Sequence, residues 1–132
     1  MTFYSEISDN GTYIVHVAIG DVTLEEATES YKRALENRNF TPGMDSIWDL
    51  TSGSFEKLNH DLFKTMIQEV AKTNHMRGEG HKVAVVVGDM TEFELGQQYE
   101  EMTHGILPHN MRVFMNMTEA LGWLKGEEPP RT

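Results

Sequence analysis

Cysteine is absent from the 132 residues, which excludes a disulfide framework, a thiolate zinc site and a cysteine nucleophile together. Basic residues are scarce: 11 Lys and Arg stand against 21 Asp and Glu, for a net charge of −10. Such a field repels phosphate backbones and anionic headgroups, so nucleic-acid and membrane-surface roles are not expected. Long hydrophobic runs are missing as well. The longest, Val83 to Val87, falls far short of the roughly 20 residues a membrane-spanning helix needs. The start, Met1-Thr2-Phe3-Tyr4-Ser5-Glu6, has neither the basic nor the apolar segment of a secretory leader. A cytoplasmic location is the expectation. The chain carries no internal repeat and no low-complexity tract.

What is present is ordinary for a globular domain: 39% hydrophobic and 24% charged residues. One domain over residues 1–126 is expected, with a flexible tail over 127–132 that opens Glu127-Glu128-Pro129-Pro130. Phe3–Ile7 and Thr12–Ile19 read as strands joined by Asp9-Asn10-Gly11, a hairpin turn whose Asn and Gly both tolerate positive φ. Thr23-Leu24-Glu25-Glu26 has the form of a capping box. It opens a helix to about Asn37 with Leu24, Ala27, Tyr31, Ala34 and Leu35 on one face. Ser46–Leu50 is a short strand ending in the polar loop Thr51-Ser52-Gly53-Ser54. A second helix runs from near Asn59 to about Thr73 on the stripe Leu62, Phe63, Met66, Ile67, Val70, and Arg77–Gly80 breaks it. Lys82–Val87 has the pattern of a strand buried on both faces.

Gly88-Asp89 ends that strand, and Thr91 with Glu94 forms another capping box for a third helix carrying Phe93, Leu95, Tyr99 and Met102. Met111–Phe114 is the last strand and Thr118–Leu124 the last helix. The order β-β-α-β-α-β-α-β-α predicts an α/β fold: a mixed β-sheet flanked by helices, antiparallel in its opening hairpin and parallel through right-handed crossovers after it.

Ligands of open α/β sheets collect at the carboxyl ends of the strands. Two segments there are candidate ligand or partner loops: Asp49, Thr51, Ser52 and Ser54 after the second helix-connected strand, and Asp89 and Thr91 after the next. Each leads into a helix N-terminus, whose free N–H groups favour an anion. The plainer reading makes Asp89 and Thr91 caps and lets Ser52 and Ser54 shape a turn. Phe93, Tyr99 and Met102 mark a candidate apolar pocket beside the third helix, where methionine-rich packing adapts to varied partners.

The six histidines, His16, His60, His75, His81, His104 and His109, show no metal-ligand spacing, so neither a metal nor a cofactor is expected. Asp49, Ser52 and His60 assemble a Ser/His/Asp set only on paper, for no G-x-S-x-G elbow is present. Gly78-Glu79-Gly80 precedes a strand, whereas a dinucleotide fingerprint follows one. An enzyme is not expected.

Three stretches carry a resemblance. Gly20-Asp21-Val22-Thr23-Leu24-Glu25-Glu26, Ile47-Trp48-Asp49-Leu50-Thr51, and Met111-Arg112-Val113-Phe114 followed by Thr118-Glu119-Ala120-Leu121-Gly122-Trp123-Leu124 are similar to the STAS superfamily. More narrowly the chain resembles its SpoIIAA-like branch, whose fold is also similar to the lipid-binding CRAL-TRIO fold. The resemblance implies a STAS-like mixed sheet and a regulatory or binding module that acts through a protein partner or a homodimer. Classical members that antagonise anti-sigma factors are phosphorylated on the serine of an Asp-Ser-x-Gly turn opening the second long helix. Here the corresponding stretch Phe55-Glu56-Lys57-Leu58-Asn59-His60-Asp61 has no serine, and the one Asp-Ser pair, Asp45-Ser46, leads into a strand. The expected function is therefore a non-enzymatic STAS-like module. Its alternatives are a carrier of a small apolar, lipid-like ligand and, more distantly, a hydrolase.

Overall fold

Strand β1 (Thr2–Ile7) pairs antiparallel with β2 (Tyr13–Asp21), Phe3 opposite Ala18 and Ile7 opposite Ile14. The computed structural model describes residues 2–8, 11–54, 56–72, 81–104, 106 and 110–126. Asp9 and Asn10 of the expected turn, the break at Arg77–Gly80 and the tail 127–132 lie outside them. From β2 the chain makes three parallel crossovers to β3 (Asp45–Ser54), β4 (Lys82–Val87) and β5 (Asn110–Phe114), giving one sheet of order β1-β2-β3-β4-β5.

Each crossover steps in the same direction. Right-handed connections therefore put all three crossover helices on one face. These are α1 (Leu24–Glu36), α2 (His60–Ala71) and α3 (Met90–His104). The last helix, α4 (Met117–Leu124), follows the final strand and covers β4 and β5 on the other face. The fold class and element order read from the sequence hold throughout.

Local chemistry sets the helix ends. Thr23 Oγ1 accepts the Glu26 N–H at 3.3 Å, but its hydroxyl donates to the Glu26 carboxylate at 2.9 Å, a variant of the reciprocal box. Asn59 caps α2 through Leu62 N–H, and Asn116 caps α4 through Glu119 N–H. At α3 the capping residue is Asp89, which accepts the Glu92 N–H at 2.9 Å, so Thr91 sits inside the first turn.

β4 shows the two-faced burial its composition predicts. Val83, Val85 and Val87 enter the larger core under α1–α3, with Leu50, Leu58, Phe63, Ile67 and Tyr99. Ala84 and Val86 enter a second core with Ile47, Phe114, Ala120 and Trp123 beneath α4. Lys82 secures that helix, its Nζ donating to the Trp123 carbonyl at 2.7 Å and lying 5.3 Å from the indole ring. The free edge of β5 is blunted by α3: the Val113 N–H donates to Glu100 Oε1 at 3.0 Å.

Strand β3 departs from expectation. Thr51 to Ser54 are strand rather than loop, because β2 continues to Asp21 and pairs with them, Ile19 opposite Ser52 and Asp21 opposite Ser54. The register slips between Val17 and Ile19, leaving β3 one residue longer there, as in a β-bulge. Gly53 suits that close pairing, since a Cβ would stand 2.8 Å from the Ala18 carbonyl oxygen.

Candidate functional site

Most of the large core is filled, but not all of it. A cavity of about 80 Å³ lies between the sheet and α1 and α2. Its floor is Trp48 and Leu50 of β3 with Val83 and Val85 of β4. Its roof is Ala27 and Tyr31 of α1 and Phe63, Met66, Ile67 and Val70 of α2. The reason is architectural: α1 packs against β1 and α3 against β5 and β4, whereas α2 packs chiefly on its two neighbouring helices. The middle helix reaches the strands through Phe63 and Ile67, which share the core with Leu50, Val83 and Val85, while its backbone stands nearer to α1 and α3 than to the sheet.

The cavity wall is rigid at one point and looser at another. Trp48 is held by a tilted stack on His16, ring centroids 4.3 Å apart, and by the edge of Phe3 at 5.7 Å. His16 is buried and bonded to Ser5 Oγ at 2.6 Å, which ties that stack to the edge strand β1. On the helix side, Tyr31, Met66 and Val70 are only half-buried, at the seam between α1 and α2. One surface ion pair crosses that seam, Lys32 Nζ to Glu69 Oε2 at 3.9 Å. The Glu69 carboxyl is held below its ordinary range by its hydrogen bond to Lys72 and by the charges of Lys72 and Lys32.

The residues singled out from the sequence fall elsewhere. Asp49 Oδ1 accepts both the Thr51 N–H, at 3.1 Å, and the Thr51 hydroxyl, at 2.7 Å, so its carboxylate serves the backbone where the register slips. Ser52 is exposed in the strand. The Ser54 hydroxyl donates to the buried Glu92 carboxylate at 2.6 Å, tying the end of β3 to α3. Asp89 caps α3 and Thr91 is exposed, so the carboxyl-end segments are joined through Ser54 and Glu92 into a structural polar link.

His60 bonds Gln98 at 2.8 Å on the face bearing α1–α3. Asp49 shares its face of β3 with Ile47, two residues before it and under α4, so it is on the opposite face from His60. The paper set Asp49, Ser52 and His60 is not one site. Histidines 75 and 109 lie outside the described residues. Among those described, no group of three or more His, Asp and Glu is placed to hold a metal ion. None of the described helices is long and apolar enough to cross a membrane.

Phe93, Tyr99 and Met102 belong to the large core but do not line the cavity. Tyr99 stacks on Phe63 at 4.0 Å and donates its hydroxyl to the Leu58 carbonyl, and with Leu95 it borders an open surface groove shared with Asn59, His60 and Asp61. Burial pushes its phenol pKa above the ordinary range, and the nearby Glu92 charge adds to the shift. The sequence reading passed over Trp48, Ser46, His81 and Thr103 as cavity residues. The available signal was the pair of facing stripes on α1 and α2, Ala27 and Tyr31 against Met66, Ile67 and Val70.

The sheet order, one antiparallel pair followed by three parallel crossovers with helices on both faces, defines a mixed α/β fold. The chain is similar to a solved structure of an uncharacterized protein from Shewanella loihica PV-4, of the DUF3478 family and described as having a SpoIIAA-like fold. The likeness covers 93% of this chain and 92% of that one, with a TM-score of 0.57 and 18% sequence identity. At that identity it shows the fold alone. No family model matches the chain, and no curated protein matches it.

Proposed function

We propose that this chain is a non-catalytic STAS-like binding module, and that what it binds is a small apolar molecule held between the sheet and helices α1 and α2. The observation that carries this reading is the cavity of about 80 Å³. Protein interiors are packed about as densely as organic crystals, and voids larger than a water molecule are few. An empty apolar space of this size weakens the core that surrounds it, and a ligand restores the lost contacts. The fold by itself does not specify a ligand, because one architecture hosts many functions.

Two measurements test the reading. Native mass spectrometry on protein purified without refolding is expected to show a small non-covalent adduct that is lost on denaturation. Benzene added to refolded protein is expected to shift the methyl resonances of Val83, Val85 and Ile67 saturably. A bare mass together with unmoved methyls refutes the proposal.

A second reading, association with a second copy, is favoured by the outer face of β1 and β2. The helix α4 covers β4 and β5 but leaves Tyr4 and Ile19 of the antiparallel β1–β2 pair 43% and 47% exposed, two large apolar side chains on one uncovered face. Light scattering tests it: a dimer that Ile19→Lys dissociates supports it, and a monomer at high micromolar concentration refutes it.

A further inference from the structure

The apolar-cavity reading can be carried further, because the polar side chains of the cavity wall gather at one end. Ser46 is the second residue of β3, and His81 immediately precedes β4. Thr103 is in the last turn of α3, its hydroxyl donating to the Glu100 carbonyl at 2.8 Å and lying 3.6 Å from Met111 Sδ at the start of β5, so its oxygen is left to accept from a head group. Tyr31 lies in the second half of α1. Crossover helices run back along parallel strands, so all four stand toward the amino-terminal pole of the sheet. The opposite pole, around Val22, Leu50, Leu58 and Phe63, is wholly apolar. From Ser46 to Leu50 the strand advances about 13 Å, at roughly 3.3 Å per residue. This polarity is opposite to the usual one, in which the polar contacts of an α/β sheet collect at the carboxyl ends.

The charge of the wall narrows the chemistry further. Among the described residues no Lys, Arg, Asp or Glu lines the cavity, and Ser46, His81 and Thr103 are each 3% exposed or less. A carboxylate seated here would be buried with no fixed cation among the described lining residues, which is costly. A plain hydrocarbon would leave the hydroxyl-lined pole without an added hydrogen bond. We propose that the ligand is a neutral, short-chain amphiphile, an alkyl chain ending in a hydroxyl or carbonyl. Its chain points toward Leu50 and Phe63 and its head group lies against Ser46 and Thr103.

The test compares 1-pentanol, pentanoate and benzene on the full chain at pH 8, above the ordinary histidine range, by methyl resonance shifts. The expected result is that 1-pentanol binds at least tenfold tighter than pentanoate. Ser46→Ala is expected to weaken 1-pentanol about three- to tenfold, the loss of one hydrogen bond, and to leave benzene within twofold. Thr103→Val is the second variant, read in the same way. Pentanoate binding as well as 1-pentanol, or both variants leaving 1-pentanol unchanged, overturns the head-group assignment while benzene still binds. If benzene does not bind either, the apolar-cavity reading falls with it.

Discussion

Adding one methylene on each side of a single strand gives a direct test of the cavity. Val85 and Val86 are neighbours on β4, 3% and 0% exposed, but Val85 faces the cavity and Val86 packs under α4 against Ile47, Phe114 and Trp123. At about 24 cal/mol per Å³, a void of 80 Å³ costs about 2 kcal/mol. A single methylene placed in it recovers at most about 0.8 kcal/mol, the transfer value for one CH₂. Val85→Ile keeps the β-branched shape a strand favours and is expected to raise stability by about 0.5 kcal/mol after some loss to imperfect fit.

Val86→Ile inserts the same atom where no room exists and is expected to lower stability by about 1–3 kcal/mol. The assay is urea unfolding of ligand-free protein. At an m-value of about 2 kcal/mol/M the Val85→Ile midpoint should rise by about 0.25 M, and that of Val86→Ile should fall by at least about 0.5 M, with m unchanged in both. Destabilisation of similar size in the two variants would mean that the space beneath α2 closes in solution. The reasoning from the void would then be refuted. A Val85→Ile protein that is more stable yet binds benzene more weakly supports it from both directions.

Three further perturbations probe the frame around the site. A Cβ at Gly96 would stand 2.9 and 3.0 Å from the two methyls of Val113, so Gly96→Ala should destabilise despite a helix-propensity gain of about 1 kcal/mol. In a double-mutant cycle with Val113→Ala the coupling should reach at least about 1 kcal/mol, and additivity would show that the contact is slack. Tyr99→Phe removes the donor to the Leu58 carbonyl and should cost about 1–3 kcal/mol in chemical denaturation. Because the folded state raises the Tyr99 pKa, its contribution is complete below the unfolded value of about 10 and is lost as pH climbs through the raised one. Tyr99→Phe should therefore flatten the alkaline limb of the stability profile, and an unchanged limb would contradict the assignment. Thr23→Ala should cost about 1 kcal/mol by thermal unfolding, and Thr23→Ser should retain most of it; equal losses would show that the cap contributes through something other than its hydroxyl.

Local signals were read well because their causes are local. Thr23 and Asn59 each act within a few residues, so the starts of α1 and α2 follow from neighbouring side chains. The true length of β3 does not. Thr51 to Ser54 look like a loop by composition, and they become strand only because β2, 33 positions earlier by its pairing, extends far enough to meet them. Asp49 shows the same limit. Its strand-end position resembles a ligand contact, yet its carboxylate bonds Thr51 where the β2–β3 register slips, a feature of pairing that sequence does not display.

The pocket is the clearest case of information that no single segment holds. An apolar stripe tells which face of a helix points inward, and the stripe through Phe93, Tyr99 and Met102 does point inward. Whether the space it faces is filled depends on what arrives from elsewhere. Behind Tyr99 the core is closed, because Phe63 stacks on its ring and the Leu58 carbonyl meets its hydroxyl, while its outer side borders an open groove with Leu95 and His60. Beneath α2 it is not, because the flanking helices contact the sheet and hold α2 between them. The volume left over is a difference between the positions of three helices, and residues as small as Ala27 and Val85 border it without any mark of their own. Its polar pole depends equally on topology. Ser46, His81 and Thr103 come from three separate elements, and they share one end because parallel strands repeat the same direction and crossover helices reverse it.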